Sequence, residues 1–256
     1  MPSSVISSEL RGGRFTPAPD GVIFRGASVT GVDFSGLRIR HLQVEQSGFI
    51  DCDFSRAHLA NGNLGLASPP TTYLRCRFDG ADLRGVRPGA ARFEGCRFDG
   101  ARLDGWLCFV TEFIDCHFAG LLREMVVSGR PFPPARMEDL GRTQNAVYGN
   151  DFRAAELMGV EFVRGIDIDA QLMPDSEAYV RVPHAPARIA AARREIEHWP
   201  DPSPRAHAES MLHFYSTRGY EEQETIFTRR DVPGTVPVDV RERVLAMLSG
   251  EVRRGG

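Results

Sequence analysis

A short phrase returns along this chain at a fixed interval, and neither a helix nor a flat sheet can carry it. It reads CDFSRAHL from Cys52, CRFDGADL from Cys76 and CRFDGARL from Cys96. It shortens to CHF at Cys116, and NDFRAAEL from Asn150 echoes it. A finer rhythm runs inside the phrase. From Phe24 a large apolar residue stands at every fifth position: Phe24, Val29, Phe34, Ile39, Val44, Phe49, Phe54, Leu59 and Leu64. A mostly small residue lies two places earlier, as at Ala27, Cys52, Ala57 and Gly62. In an α-helix five residues advance about 500°, so the apolar stripe would wander round the cylinder. In a strand an odd period throws every second large residue onto the opposite face. The pattern closes only if the chain turns a corner once per five residues. Four corners then make one square coil, and the phrase marks successive coils.

The longer echo tests that geometry. Tyr73 lies nine residues after Leu64, which is one side of a coil plus a four-residue loop within GLASPPTT, residues 65–72. Register then resumes at Tyr73, Phe78, Leu83, Pro88, Phe93, Phe98, Leu103, Cys108, Phe113 and Phe118. Stacked by coil, Phe34, Phe54, Phe78, Phe98 and Phe118 form one column, and Ile39, Leu59, Leu83 and Leu103 the next. Val29, Phe49, Tyr73, Phe93 and Phe113 form a third, and the small position beside the Phe column reads Val32, Cys52, Cys76, Cys96, Cys116. Two residues depart from the pattern: Pro88 takes an inward position, and Trp106 falls where a small residue belongs.

The units AHLAN from Ala57, ADLRG from Ala81, ARLDG from Ala101 and AELMG from Ala155 resemble those of the pentapeptide-repeat family, whose consensus is roughly A-(D/N)-L-x-x. The match covers residues 22–118 and again 150–172, with Phe often in the Leu place. The resemblance implies a mainly β fold, a right-handed quadrilateral β-helix. On this reading residues 1–21 are a lead-in or cap, and 22–175 are the β-helix, with insertions near 65–72 and 119–149. Residues 176–256 form an α-helical C-terminal extension. Ile189, Ala192, Ile196 and Trp199 have helical spacing after Pro186. Ser203-Pro204 reads as a cap ahead of Ala208, Met211, Leu212 and Tyr215, and Asp239-x-x-Glu242 as a capping box ahead of Val244, Leu245 and Leu248. Short helices of this kind bury little alone, so they are expected to pack on the rod or on a second copy.

Whatever the rod does, its outward positions carry it. Before each Phe of the column they read Asp33, Asp53, Arg77, Arg97, His117 and Asp151, a stripe of mixed sign. After the Phe49 column they read Ile50, Leu74, Glu94 and Ile114. Ile50, Leu74 and Ile114 make a candidate interaction wall, because large apolar side chains on an outer face mark a contact. The C-terminal helices or a partner in a homodimer are the expected occupants.

Signals for chemistry are weak. The cysteine column stands at small inward positions, where Cys is a compact apolar filler. His58 and His117 fall on outer walls, and the pairs Glu195-x-x-His198 and His207-x-Glu209 near His213 are too short to define a metal site. No P-loop, nucleophile elbow or dinucleotide-binding glycine motif occurs, so no cofactor, metal or catalytic residue is expected. All 31 basic residues are Arg, and over residues 20–175 there are 17 Arg against 21 Asp and Glu, net −4. That balance disfavours direct nucleic-acid binding. No apolar run approaches the ~18 residues that suggest a membrane span, and the N-terminus lacks a signal-peptide core. With five Cys and no CxxC pair, a cytoplasmic location is expected.

The expected role is therefore binding to another macromolecule without catalysis. The resemblance makes this concrete: some pentapeptide-repeat proteins match duplex DNA in size and shape, occupy the DNA-binding saddle of type II topoisomerases and protect them from drugs. A mimic needs negative charge along the rod, and Arg77, Arg84, Arg97 and Arg102 interrupt it here. The alternative is an enzyme, for example a biosynthetic tailoring enzyme, with a site between the rod and the C-terminal helices. A pocket of His and carboxylates beside the 119–149 insertion would mark it.

Overall fold

The computed structural model describes residues 4–66, 68–231 and 235–250. The extreme ends of the expected lead-in and C-terminal regions, and Ala67 in the first insertion, lie outside the described residues. Two compact units emerge: Met1–Val160 with Asp169–Pro174, and Glu161–Ile168 with Asp175–Gly256. The division is not a single cut. Glu161–Ile168, which the repeat pattern assigns to the β-helix, groups with the C-terminal unit.

The first unit is a parallel β-solenoid of about six turns. Its first wall stacks Ser4–Ile6, Val22–Arg25, Leu42–Glu45, Gly62–Asn63 and Val86–Arg87. The second wall is a seven-stranded parallel sheet running from Glu9–Arg11 through Ser28–Thr30, Gly48–Ile50, Thr71–Leu74, Ala91–Glu94 and Glu112–Ile114 to Val147–Tyr148. The third wall is a ladder of bridges and short strands around the Phe column. The fourth wall pairs Arg38–Ile39 with His58–Leu59 and continues through Asp82 and Arg102. Register is kept across the first insertion: Tyr73 pairs with Phe49 on one side and Phe93 on the other.

The corners explain the period of five. Where the second wall turns into the third, the residues are Gly31, Asp51, Arg75, Gly95, Asp115 and Gly149, all with φ between 50° and 69°. A left-handed residue bends an extended chain sharply, which a run of ordinary β residues cannot do. Gly149 has a second reason to be Gly, since a Cβ there would lie 2.0 Å from Asp115 Oδ1.

Inside, the columns stand as stacks of rings. Phe34, Phe54, Phe78, Phe98, Phe118 and Phe152 follow one another with centroids 4.5–5.0 Å apart and planes within 8° of parallel. Phe49, Tyr73, Phe93 and Phe113 form a second stack, meeting the first edge to face. The coil rise of about 4.8 Å sets this spacing, and each ring buries its full apolar surface. Tyr73 differs from its neighbours for a local reason: its hydroxyl donates to the Leu64 carbonyl at 3.0 Å, at the edge of the 65–72 insertion. Trp106 does not break the coil. It is buried, and its indole N–H donates to Leu83 O at 3.1 Å. Pro88 is buried as well, at the inward position the register assigns it.

The second insertion is held down by charge. Strand Val126–Ser128 keeps the coil, and helix α1, Ala135–Leu140, lies within the inserted segment. Beyond it, Arg142 reaches Glu112 at 3.1 Å and donates to Val110 O at 2.7 Å, while Asn145 donates to Phe109 O and Ser128 O. Glu112 is 5% exposed and also accepts from the Ala146 N–H.

The C-terminal unit is not purely helical. Helices α2 (Ala185–Ile196), α3 (Pro202–Phe214) and α4 (Val238–Ser249) are joined by an antiparallel strand pair, Tyr179–Pro183 with Thr225–Arg229. Ile189, Ile196, Leu212, Val244, Leu245 and Leu248 are buried together with Val180, Val182, Ile226 and Phe227, so the unit has a core of its own. The helix starts differ from the sequence reading: α3 begins after Asp201 and α4 after Pro237, leaving Ser203 and Asp239 inside the first turns.

Candidate interaction surfaces

The third wall sets the mixed-sign residues in one ladder. Asp33 pairs with Asp53, Asp53 with Arg77, Arg77 with Arg97, Arg97 with His117 and His117 with Asp151. Their side chains are tied down. Arg77 binds Asp79 at 3.2 Å, Arg97 binds Asp99 and lies 3.9 Å from Asp79, and His117 Nδ1 lies 2.6 Å from Asp99. Asp33 takes Arg14 at 2.7 Å and accepts from the Ser35 N–H. Asp151 is bonded by Arg153 at 2.8 Å, and that guanidinium holds its carboxyl down at about 2. The common device is an Arg two residues from a carboxylate, so both project from the same face of one strand. Most carboxylates of this wall are therefore matched by Arg, and the stripe is no run of bare negative charge.

The second wall sets Thr30, Ile50, Leu74, Glu94, Ile114 and Tyr148 in one outward column. Ile50 and Leu74 are half-buried, Ile114 is only 3% exposed, and Tyr148 is 48% exposed. The three apolar residues thus share a column without forming an open apolar sheet. Tyr148 is the exposed aromatic of that column. It was legible as the outward residue before the corner Gly149, but the break at 119–149 obscured its register.

The cysteine column is an internal hydrogen-bonded ladder. Cys52, Cys76, Cys96 and Cys116 are buried and free, and each Sγ lies 3.2–3.5 Å from a carbonyl one coil back (Val29, Phe49, Tyr73 and Phe93) and 3.4–3.6 Å from one two residues earlier on its own coil. Burial pushes the Cys76 and Cys116 thiols up. Asn150 and Gln171 then take over the same post, donating to Phe113 O and Val147 O at 2.9 Å, and Asn150 Nδ2 also donates to Gln171 Oε1 at 2.9 Å. An amide meets those carbonyls at full strength where a thiol does so weakly.

The histidines are scattered. His58 lies 3.3 Å from Asp82, His184 2.7 Å from Glu224, and His198 and His207 lie against the backbone carbonyls of Arg194 in α2 and Ser203 in α3. Among the described residues no three metal-ligating side chains converge. The concavity beside the second insertion is lined by Met137, Glu138, Gly141, Arg142, Thr143 and Gln144, with one carboxylate and no histidine.

Residues 75–105 match the family model described as pentapeptide repeats (8 copies). No curated protein matches the chain. Among solved structures, two trypsin-treated variants of QnrB1, a plasmid-mediated fluoroquinolone resistance protein, align at 16% and 15% identity, each with a TM-score of 0.32. These alignments cover 62% and 66% of this chain and 90% of each QnrB1 chain. Full-length QnrB1 aligns at 14% identity with a TM-score of 0.22, over 62% of this chain and 93% of its own.

Proposed function

This chain is a pentapeptide-repeat protein, and on that premise we propose that it binds another macromolecule without catalysing a reaction, its partner being a type II topoisomerase that it protects from drugs. The observation that carries the reading is the third wall. Six outward residues from Asp33 to Asp151 stand in one ladder, most of them held by ion pairs within and between coils. A surface whose long side chains are already fixed loses less rotamer entropy when a partner docks. Its mixed sign, acidic at Asp33 and Asp53 and basic at Arg77 and Arg97, asks for a partner face of complementary pattern, which gives register and selectivity. The topoisomerase is the partner that the repeat family implies; the pairing of carboxylates with Arg means that contact would rest on shape and matched charge more than on imitation of a polyanion.

A gyrase supercoiling assay with and without a quinolone tests this. The protein is expected to alter supercoiling alone or to restore it against the drug, and the double variant Arg77→Glu/Arg97→Glu is expected to lose that effect. No effect of the wild-type chain in either condition removes the topoisomerase as partner.

A further inference from the structure

The fourth wall divides its charges unevenly along the solenoid. In its later coils the carboxylates are shared among several partners: Asp82 takes Arg84 at 2.7 Å, Arg102 at 3.5 Å and His58 at 3.3 Å, and Asp104 lies 4.0 Å from both Arg84 and Arg123. Those contacts hold the Asp82 carboxyl down at about 2, chiefly through Arg84. In the earlier coils the arginines have no such partner. Arg38 lies on strand Arg38–Ile39 and Arg40 at the bend that follows it, both exposed on either side of the buried Ile39, and Arg56 stands on the next coil at the corner leading into this wall. All three are exposed, and among the described residues none makes an ion pair. One coil on, Arg38 faces His58 and Arg40 faces Ala60.

We propose that Arg38, Arg40 and Arg56 form a recognition surface for a carboxylate-rich protein segment. Guanidinium groups bind carboxylates in a planar, two-pronged fashion. Arg38 and Arg40 are two residues apart, at most about 7 Å along the chain, a spacing comparable to that of alternate side chains in an extended acidic peptide. The backbone beneath is tied into the parallel ladder by Leu37 O, which accepts from the His58 N–H, and Ile39 O, which accepts from the Ala60 N–H, so the spacing is fixed in advance. A nucleic-acid backbone fits less well. Three arginines offer few phosphate contacts and so little counterion release, which is what drives binding to a nucleic-acid backbone. This surface is separate from the third-wall ladder and stands whether or not a topoisomerase is the partner.

Fluorescence anisotropy on the full chain tests it, with a labelled octaglutamate peptide, a labelled octaglutamine peptide and a labelled single-stranded DNA 12-mer. The expected result is saturable, salt-sensitive binding of octaglutamate only. Arg38→Ser/Arg40→Ser should weaken it about tenfold, the loss of two exposed charge contacts. Arg87→Ser, at an exposed arginine on the first wall, should leave it unchanged. The melting curve of the double variant should overlay that of wild type, because neither residue has a partner to lose. Arg56→Ser alone supplies a second reading should the double variant misfold. Absent octaglutamate binding, equal affinity in all variants, or tighter binding of the DNA would each overturn the proposal.

Discussion

Replacing Phe78 by Ala examines the stacking at its centre. Phe78 is fully buried, lies 5.0 Å from both Phe54 and Phe98 with planes 5° from parallel, and meets Tyr73 and Phe93 edge-on at 5.8 Å. Losing a buried ring costs about 2–3 kcal/mol in transfer free energy. A cavity of roughly 100 Å³ adds about 2 kcal/mol where neighbours cannot collapse, since it scales at ~24 cal/mol per Å³. Collapse is resisted here because the coil rise is fixed by backbone hydrogen bonds above and below, from Phe78 N to Arg97 O and from Phe54 N to Arg77 O. The expected total is about 4 kcal/mol, which lowers Tm on the order of 10 °C in a unit of this size. Because a solenoid couples nearest neighbours most strongly, the coils of Phe54 and Phe98 should share the loss. Urea titration followed by far-UV circular dichroism measures it. Phe78→Leu, which keeps more volume, should cost about 1–2 kcal/mol. A change below ~1 kcal/mol for the Ala variant would refute the reasoning.

Three further outcomes are expected. Glu112→Gln should destabilise by about 2–3 kcal/mol, because it leaves the half-buried Arg142 guanidinium, whose pKa burial already lowers, without its countercharge; urea melts and trypsin cleavage within 129–145 report it, and an unchanged digestion rate would contradict the anchoring. All five cysteines are buried, so a thiol reagent should titrate none in the native protein and five after denaturation; rapid modification of any native thiol would show that the column is open. Asp82 and Asp151 have folded pKa values lowered to about 2 by their Arg partners. Their contribution is therefore complete above pH ~4 and lost as pH falls towards 2, and Asp82→Asn should flatten the acid limb of the stability profile; an identical limb in the variant would contradict this.

The columns were legible because the repeat leaves nothing else for the chain to do. Once Leu64 and Tyr73 are taken as flanking a loop, Phe54 must stack on Phe78, and the rings do so. The outward ladder from Asp33 to Asp151 followed from the same register. Trp106 looked like a breach because its size is wrong for its place, whereas its indole N–H finds a carbonyl there. Contacts that cross the period were hidden. Glu112 with Arg142 joins two segments 30 residues apart, and no spacing rule announces it. The strands Tyr179–Pro183 and Thr225–Arg229 carry β-branched alternation, in YVRVP and TIFTR, but helical spacing on either side masked it. Ile114 reads as outward from its position, and it is outward; its burial depends on neighbours that position cannot report.

The most direct test uses nuclear Overhauser contacts between ring protons in a sample labelled selectively at phenylalanine. Cross-peaks are expected in the sequence Phe34–Phe54–Phe78–Phe98–Phe118–Phe152, each ring touching only its two neighbours along that line. Finding Phe54 and Phe78 out of contact, or Phe78 in contact with Phe118 but not Phe98, would contradict a coil that repeats its interior at every turn.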